Sequence, residues 1–292
     1  MKNVFLYCMV VLGFVMNPVS AQTSVVANSN ITSTQKVSFY HPWLGKRVGY
    51  IGDSITDPRN GGGKIKKYWE FLQEWLGITP YVYGVSGRQW DDVPRQAELL
   101  KSEHGDEVDA ILVFIGTNDF NHGVPVGEWY TEAEEEVMFA RGEKEKLVVR
   151  KKRTPIMSNE TYKGRINIGI TRLKELFPDK QIVLLTPLHR SFARFNETNV
   201  QPAECYQNRI GEYIDSYIDA IKEAGNIWGI PVIDFNAVTG INPMIKEQTS
   251  YMFNEEYDLL HPSTKGQIRM ARTLMYQLLM YPCVFEEYKK GG

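Results

Sequence analysis

Five short apolar runs, separated by segments with helical spacing, constrain the fold of this chain more than any other feature. The run VDAILVFIG at residues 108–116 is apolar almost throughout, which is typical of a central strand covered on both faces. Strands that alternate with helices predict a three-layer α/β fold around a five-stranded parallel sheet. The predicted strands are residues 47–52, 81–85, 108–116, 181–186 and 230–235, and the predicted helices are residues 64–76, 92–102, 160–177, 203–224 and 263–280, the last with Ser263 as its N-cap.

The N-terminal 40 residues differ in composition from the rest of the chain. Lys2 precedes an apolar stretch over residues 4–16 that is too short to span a bilayer comfortably, and Val19-Ser20-Ala21 supplies the small residues of a cleavage site. We therefore expect cleavage after Ala21 and a secreted or periplasmic mature protein without a stable membrane span. The expected segments are a signal peptide (1–21), a polar lead-in (22–40) and a folded domain (41–292).

The stretch 120–158 interrupts the alternation of strands and helices, and it is too long for a plain connection in a compact domain. We expect an insertion here, with two alternatives for its structure. Residues 134–140 and 146–150 form either the arms of a hairpin around residues 141–143, or a helix and its return. The acidic run EAEEE and the basic run VVRKKR are expected to be solvated faces that pair with each other.

Composition excludes some classes of partner and cofactor. The chain has 292 residues, a formal net charge of −2 and a pI near 6.3, whereas nucleic-acid-binding domains are normally basic. No C-x-x-C or H-E-x-x-H motif occurs, so we expect neither a metal nor another cofactor. Cys205 and Cys283 follow the signal peptide, and the sequence leaves open whether they are bridged, as it leaves open the oligomeric state.

Polar residues follow the predicted strands at the points where those strands end. In an open α/β sheet, ligands bind beyond the carboxyl ends of the strands, so residues far apart in sequence meet there. The four stretches expected to converge are Gly52-Asp53-Ser54, Gly84-Val85-Ser86-Gly87, Gly116-Thr117-Asn118-Asp119, and Asp258-Leu259-Leu260-His261-Pro262.

These stretches contain the residue types of a serine nucleophile site. A serine hydroxyl needs a base within hydrogen-bond reach, and the base needs an orienting acid. His261 and Asp258 are three residues apart and can share one tight turn, and the oxyanion donors would be the N–H of Ser54, the N–H of Gly87 and the side-chain amide of Asn118. Each residue also has a structural alternative. Ser54 and Gly87 suit turns, Asn118 suits a capped strand end, and the Asp258–His261 pair suits a surface turn.

Together the four stretches resemble the signature blocks of the SGNH (GDSL-type) hydrolase superfamily, secreted esterase branch, in the family's order from about residue 47 to about residue 279. The resemblance implies a flavodoxin-like sheet with helices on both faces. It implies Ser54 as nucleophile, His261 as base and Asp258 as its orienting acid, with Ser54, Gly87 and Asn118 as the oxyanion hole. Ile55 replaces the leucine of the G-D-S-L name, and the insertion directly after the Asn118 block leaves the shape of the substrate site open.

We therefore expect a secreted serine esterase that hydrolyses carboxylic esters through an acyl-enzyme and removes small acyl groups, such as acetyl, from carbohydrate. The alternatives are a lipase, lysophospholipase or thioesterase of the same superfamily, and a non-catalytic glycan-binding protein on the same fold. For each aromatic candidate, packing in the core or in a lid is the structural alternative. The candidate substrate-binding residues are Asp53, Trp90, Phe120, His122, Trp129, His189 and Arg190.

Overall fold

The computed structural model describes residues 41–283 of the chain. The predicted signal peptide and polar lead-in therefore lie outside the described residues. Within residues 41–283, no helix is both long and apolar enough to cross a membrane.

Five parallel strands form the central sheet. Within the described residues the strands, in chain order, are β1 (Arg47–Gly52), β2 (Thr79–Val82), β3 (Ala110–Phe114), β4 (Tyr130–Phe139), β5 (Lys146–Pro155), β6 (Gln181–Leu185), β7 (Ala193–Asn196), β8 (Asn199–Gln201), β9 (Val232–Ile233), β10 (Met252–Asn254) and β11 (Asp258–Pro262). The central sheet has the order β2-β1-β3-β6-β9, with every pair parallel. Counted along the chain this is 2-1-3-4-5, the flavodoxin-like order, and the predicted sheet is confirmed.

Helices cover both faces of this sheet. In chain order they are α1 (Tyr68–Leu76), α2 (Val93–His104), α3 (Thr117–Asn121), α4 (Tyr162–Leu176), α5 (Ile214–Trp228), α6 (Phe235–Val238) and α7 (Thr264–Leu278). Successive side chains of a strand point to opposite faces. Accordingly, Ile111 and Val113 of β3 pack in one buried cluster with α2, α4 and α5, whereas Leu112 and Phe114 pack in another with α1 and α7. The predicted three layers are therefore present.

The predicted helix over residues 203–224 is wrong in its first half, because α5 begins only at Ile214. The preceding residues form turns around Asn208, whose side-chain oxygen accepts hydrogen bonds from the N–H groups of Ile210 (3.1 Å) and Glu212 (3.0 Å). Gly211 has a φ of +87°, which a helix does not allow. Local bonds from an asparagine side chain thus replace the first helical turns.

Other predicted elements are present with shifted ends. α1 begins at Tyr68 rather than residue 64, since Lys67 is extended and its N–H donates to the Glu70 carboxylate at 2.6 Å. β9 keeps only two residues of the predicted strand 230–235. The predicted N-cap of the last helix is confirmed: the Ser263 hydroxyl accepts a hydrogen bond from the N–H of Gly266 at 3.3 Å.

The insertion is a hairpin, and the helical alternative is wrong. β4 and β5 pair antiparallel over ten residues each, with Phe139 opposite Lys146 next to the turn. Acidic and basic side chains pair across the ribbon, as in Glu135–Lys152 (2.8 Å) and Glu132–Arg153 (2.9 Å), so the predicted pairing of the two charged runs is confirmed.

A second, antiparallel sheet of four short strands, in the order β10-β11-β7-β8, was not predicted. Asp258 lies opposite Ala193 of β7, so the Asp258–His261 segment is part of a strand rather than a free tight turn. Because these strands are only three to five residues long, they carry too little alternation to be recognised from sequence. This small sheet brings the β7–β8 hairpin beside His261.

Candidate active site

Ser54 lies on a turn directly after β1. The N–H groups of Thr56 and Asp57 donate to the carbonyl oxygen of Asp53 at 3.1 Å and 2.9 Å, which closes the turn. α1 begins only at Tyr68, so a turn rather than a helix N-terminus presents the Ser54 hydroxyl.

Three side chains from two distant segments meet in a chain of hydrogen bonds. The Ser54 hydroxyl lies 2.9 Å from Nε2 of His261, and Nδ1 of His261 lies 2.9 Å from Oδ2 of Asp258. The other Asp258 oxygen accepts the backbone N–H of His261 at 3.0 Å, which holds the carboxylate against the ring. This is the arrangement of a hydroxyl nucleophile, a base and the acid that orients the base.

The three proposed oxyanion donors line the same cleft as the Ser54 hydroxyl. Gly87 has a φ of +79°, and a Cβ added there would meet nothing within 4 Å, so its backbone faces open space. Asn118 donates one amide hydrogen to the carbonyl of Arg88 at 3.0 Å, which leaves the second hydrogen for a ligand. Among the described residues, the N–H groups of Ser54 and Gly87 make no hydrogen bond within the protein. Ser54, Gly87 and Asn118 all line one cleft of about 250 Å³.

Asp57 joins the nucleophile turn to the Gly87 turn, a role that the sequence did not reveal. Its carboxylate accepts the N–H of Ser86 at 2.9 Å and the hydroxyl of Ser86 at 3.1 Å. Burial raises the pKa of Asp57, but hydrogen bonds from Arg59 and Ser86 outweigh burial and lower it to about 2. The carboxylate therefore stays ionised, and it holds the Ser54 turn and the Gly87 turn in fixed register.

Gln96 is a second support that the sequence did not reveal. Its side-chain amide accepts the N–H of Gly52 at 2.9 Å and donates to the carbonyl of Gly52 at 3.0 Å, from a fully buried position on α2. Gly52 itself must lack a side chain, since an added Cβ would lie 2.8 Å from the carbonyl oxygen of Phe114. The end of β1 is thus clamped from both sides just before the nucleophile.

Asp53 is buried beneath the nucleophile rather than exposed to a ligand. Its Oδ1 accepts the N–H of Ile55 at 3.1 Å. Burial raises the pKa of Asp53 to about 6, against the hydrogen bond from Ile55 and the attraction of His261 and Lys67. In the unfolded chain this carboxyl ionises near its ordinary pKa of 3.8.

We expect Asp53→Asn to become more stable relative to wild type as the pH rises from about 4 to about 6. Between the unfolded and folded pKa values the folded protein binds more protons than the unfolded chain, so raising the pH lowers the free energy of unfolding of the wild type. The folded and unfolded pKa values differ by about 2, which corresponds to roughly 3 kcal/mol in the free energy of unfolding. The full difference between the two proteins is reached above pH 6. Urea unfolding of both proteins at pH 4, 6 and 8 measures it. A difference independent of pH would contradict the buried carboxyl.

Asp119, directly after Asn118, is fully buried against Arg165. Its carboxylate accepts from Arg165 at 3.0 Å and from the N–H of Trp90 at 3.1 Å. Burial raises the pKa of Asp119 to about 7, although Arg165 opposes this rise. The pair fixes α3 against the segment that follows the Gly87 turn.

Replacing Arg165 with methionine is expected to lower the free energy of unfolding by about 3 kcal/mol, because it leaves a buried carboxylate without its cation. The matched control is Arg172→Met on the same helix, whose partners Glu98 and Glu175 are exposed, and which should cost less than about 1 kcal/mol. Chemical denaturation of the two variants compares them. Equal losses of unfolding free energy in the two variants would contradict a larger contribution from the buried Asp119–Arg165 pair.

The seven candidate substrate-binding side chains do not line the cleft that holds Ser54. Trp90, Phe120 and Trp129 are in the buried core beside α4 and α5, because large aromatic rings contribute more when packed away from water. His122 is exposed with its Nδ1 2.8 Å from the carbonyl of Asn118. Asp53 is buried beneath the turn, as described above.

His189 and Arg190 follow β6, where a ligand-binding pair was expected, but both bind protein groups. His189 is hydrogen-bonded through Nδ1 to Glu204, and this bond raises its pKa. Arg190 is only 1% exposed and contacts Asn121 and Gln201. Burial lowers the pKa of Arg190 to about 10, so it remains a cation at neutral pH.

Beside the predicted Ser54, Gly87, Asn118 and His261, the cleft is lined by some residues that sequence reasoning missed. A sequence signal for part of it existed: Asn196-Glu197-Thr198 between two short runs is typical of a hairpin turn. Within the described residues, no group of three or more His, Cys, Asp or Glu side chains could hold a metal ion. Ser86 and Leu260 lie within the stretches that were expected to converge, whereas the lining residues outside those stretches are Asn60, Phe195, Asn199 and Gln201.

Comparison with known proteins gives a family and a fold. A model of the GDSL-like lipase/acylhydrolase family matches residues 50–268. A crystal structure from Lactobacillus plantarum is 22% identical with a TM-score of 0.62, and the alignment covers 81% of this chain and 97% of that one. A possible lipase from Chitinophaga pinensis is 21% identical with a TM-score of 0.58, covering 80% and 98%. No curated protein matches the chain. At these identities the structural similarity shows the fold alone.

Proposed function

Because the chain belongs to the GDSL-like lipase/acylhydrolase family, a family of ester-hydrolysing enzymes, we propose that it is a secreted serine esterase that removes small acyl groups, acetyl foremost, from carbohydrate. The observation that carries the proposal is the hydrogen-bonded series Ser54–His261–Asp258, whose Ser54 and His261 line a small cleft of mixed polar and apolar character.

In the first step, Nε2 of His261 accepts the proton of the Ser54 hydroxyl as its oxygen attacks the ester carbonyl carbon. The distance of 2.9 Å between these two atoms allows the transfer without rearrangement. Asp258 accepts from Nδ1, which fixes the tautomer that leaves Nε2 free and stabilises the imidazolium that forms.

The negative charge that develops on the carbonyl oxygen is stabilised by the N–H groups of Ser54 and Gly87 and the free amide hydrogen of Asn118. One such donor typically contributes about 3 kcal/mol to the transition state. His261 then gives its proton to the leaving alcohol, and the acyl group stays on Ser54. Water attacks this acyl-enzyme by the same route and releases the acid.

The shape and chemistry of the cleft support a small acyl group and a hydroxyl-rich alcohol. Its volume of about 250 Å³ lies below the roughly 300–1,000 Å³ of pockets that bury drug-sized ligands, which favours a small acyl group. Asn60, Asn199 and Gln201 supply carboxamides, which hydrogen-bond well to hydroxyl groups. The exposed ring of Phe195 offers a surface on which the apolar face of a sugar can stack.

The test is acetate release from a panel of acetylated polysaccharides, with wild type beside Ser54→Ala, together with p-nitrophenyl acetate against octanoate. We expect acetate release by the wild type alone and a preference for the acetyl ester. A preference for octanoate would favour a lipase or thioesterase, and glycan binding unaffected by Ser54→Ala without any turnover would favour a binding protein. N-terminal sequencing of the exported protein tests the export proposal, with Gln22 as the expected first residue.

A further inference from the structure

The β7–β8 hairpin forms one wall of the cleft and contacts the proposed base. The ring of Phe195 in this hairpin lies 5.3 Å from the ring of His261, centroid to centroid. Asn199 and Gln201 of the same hairpin line the cleft. Gly87 and Asn118, the proposed oxyanion donors, line the same cleft but belong to other segments of the chain.

The proposed mechanism places the acyl carbonyl oxygen at the oxyanion donors and the leaving oxygen at His261. The acyl carbonyl oxygen must point to the oxyanion donors. The leaving oxygen must lie next to Nε2 of His261, because that nitrogen protonates it. The alcohol attached to the leaving oxygen therefore extends on the His261 side of the cleft, where Phe195 lies.

Hydrogen bonds fix the amides of this wall in one orientation. Nε2 of Gln201 donates to Oδ1 of Asn199 at 3.0 Å. With its oxygen engaged, Asn199 retains its amide nitrogen as a donor, which suits a hydroxyl or ring oxygen of a sugar. Oε1 of Gln201 accepts from Asn121 at 2.7 Å and from Arg190 at 3.0 Å, so it is already saturated by protein donors.

Arg190 joins this wall to the helix that carries Asn118. Its guanidinium contacts Asn121 and, at 3.5 Å, the hydroxyl of Thr117, both on α3. The same guanidinium donates to Gln201 at 3.0 Å and, at 3.5 Å, to the carbonyl of Pro202. Its planar fork spans both elements, which an ammonium group cannot do. Since Arg190 does not line the cleft, it acts through these neighbours.

We infer that the β7–β8 hairpin is the subsite for the alcohol part of the ester, with Phe195 and Asn199 as its contact residues, and that Arg190 is the positioning residue that sets this wall against α3. The inference rests on the proposed function for its sugar alcohol. The division of the cleft into an acyl side and an alcohol side requires only the ester chemistry.

The test varies the alcohol and keeps the acyl group constant. Glucose pentaacetate, phenyl acetate and ethyl acetate share the acetyl group and differ in the alcohol. Phe195→Ala should lower kcat/KM for glucose pentaacetate and phenyl acetate about tenfold relative to ethyl acetate, because ethanol is too small to stack on the lost ring; tenfold corresponds to about 1.4 kcal/mol. The ratio of p-nitrophenyl acetate to butyrate, which varies only the acyl group, should stay unchanged.

The matched control is Phe253→Ala. Phe253 is on β10 of the same small sheet and is 42% exposed, close to the 40% of Phe195, but it does not line the cleft. It should leave all the ratios at wild-type values. A change in the acetate-to-butyrate ratio for Phe195→Ala, or an equal loss on all three acetates, would overturn the subsite. If the sugar ester is not hydrolysed but phenyl acetate discriminates as expected, the subsite holds and the carbohydrate proposal fails.

The role of Arg190 is tested with Arg190→Lys, which keeps the charge and removes the fork. We expect KM for glucose pentaacetate to rise about tenfold more than KM for ethyl acetate. A purely structural role would lower the melting temperature and leave this KM ratio at its wild-type value, and that result would overturn the positioning role. If Arg190→Lys does not fold, the second variant is Asn199→Ala on the exposed hairpin. It should change the ratio of KM for glucose pentaacetate to KM for ethyl acetate by the same factor.

Discussion

Ser54→Ala is expected to lower kcat on p-nitrophenyl acetate by about four to six orders of magnitude. Within residues 41–283, the Ser54 hydroxyl makes a side-chain hydrogen bond only to Nε2 of His261, so removing the oxygen takes away the proposed nucleophile and no structural contact of comparable weight. The melting temperature should therefore stay close to that of the wild type. Initial rates at saturating ester, with thermal unfolding of the same preparation, measure both quantities.

Ser86→Ala is the matched control for this prediction. Ser86 lines the same cleft, but its hydroxyl lies 3.1 Å from Asp57. Removing a hydroxyl bound only to a structural carboxylate should keep kcat within about an order of magnitude. If Ser54→Ala retained more than a few per cent of wild-type kcat, or if both serine variants lost activity equally, Ser54 would not be the nucleophile.

Asp258→Asn is expected to lower kcat/KM at neutral pH by about 10⁴-fold, the size of effect known for this change in a serine protease triad. The asparagine oxygen can still accept the backbone N–H groups of Leu260 and His261, which now bond to Oδ1 at 3.2 Å and 3.0 Å. Its NH₂ group then faces Nδ1 of His261. Nδ1 must become the acceptor and Nε2 must carry the proton, so the ring cannot take a proton from Ser54.

The control for the tautomer effect is Asp234→Asn. Asp234 caps α6 and accepts the hydroxyl of Thr186 at 2.8 Å, without contact to His261. This variant should lose a little stability and keep its kcat/KM. The test measures rates on p-nitrophenyl acetate and melting temperatures for both variants. An Asp258→Asn enzyme that keeps a tenth or more of the wild-type kcat/KM would show that Asp258 does not have the proposed role.

The sheet could be predicted because its strands are continuous apolar runs, and a run such as residues 110–114, buried on both faces, has few other places to lie. The start of α5 could not be predicted from the sequence. The choice between helix and turn over residues 203–213 depends on the side chain of Asn208, which accepts hydrogen bonds from nearby backbone N–H groups. Similarly, the hairpin insertion was left open between two structures because its residues are almost all exposed, so no buried face marks its period.

The sequence by itself determined the fold class and named the candidate residues of the centre. All five candidate residues belong to short motifs. Ser54, Gly87 and Asn118 follow strands of the parallel sheet, whose carboxyl ends meet at one edge, whereas Asp258 and His261 lie on β11 of the antiparallel sheet. Only the tertiary structure decided what surrounds that centre. It buried the aromatic residues that the sequence suggested for the substrate and placed the β7–β8 hairpin there instead. The reason is physical: a motif specifies local geometry, whereas the wall of a cleft depends on which distant surfaces pack together, and short exposed strands leave almost no periodic signal of that packing.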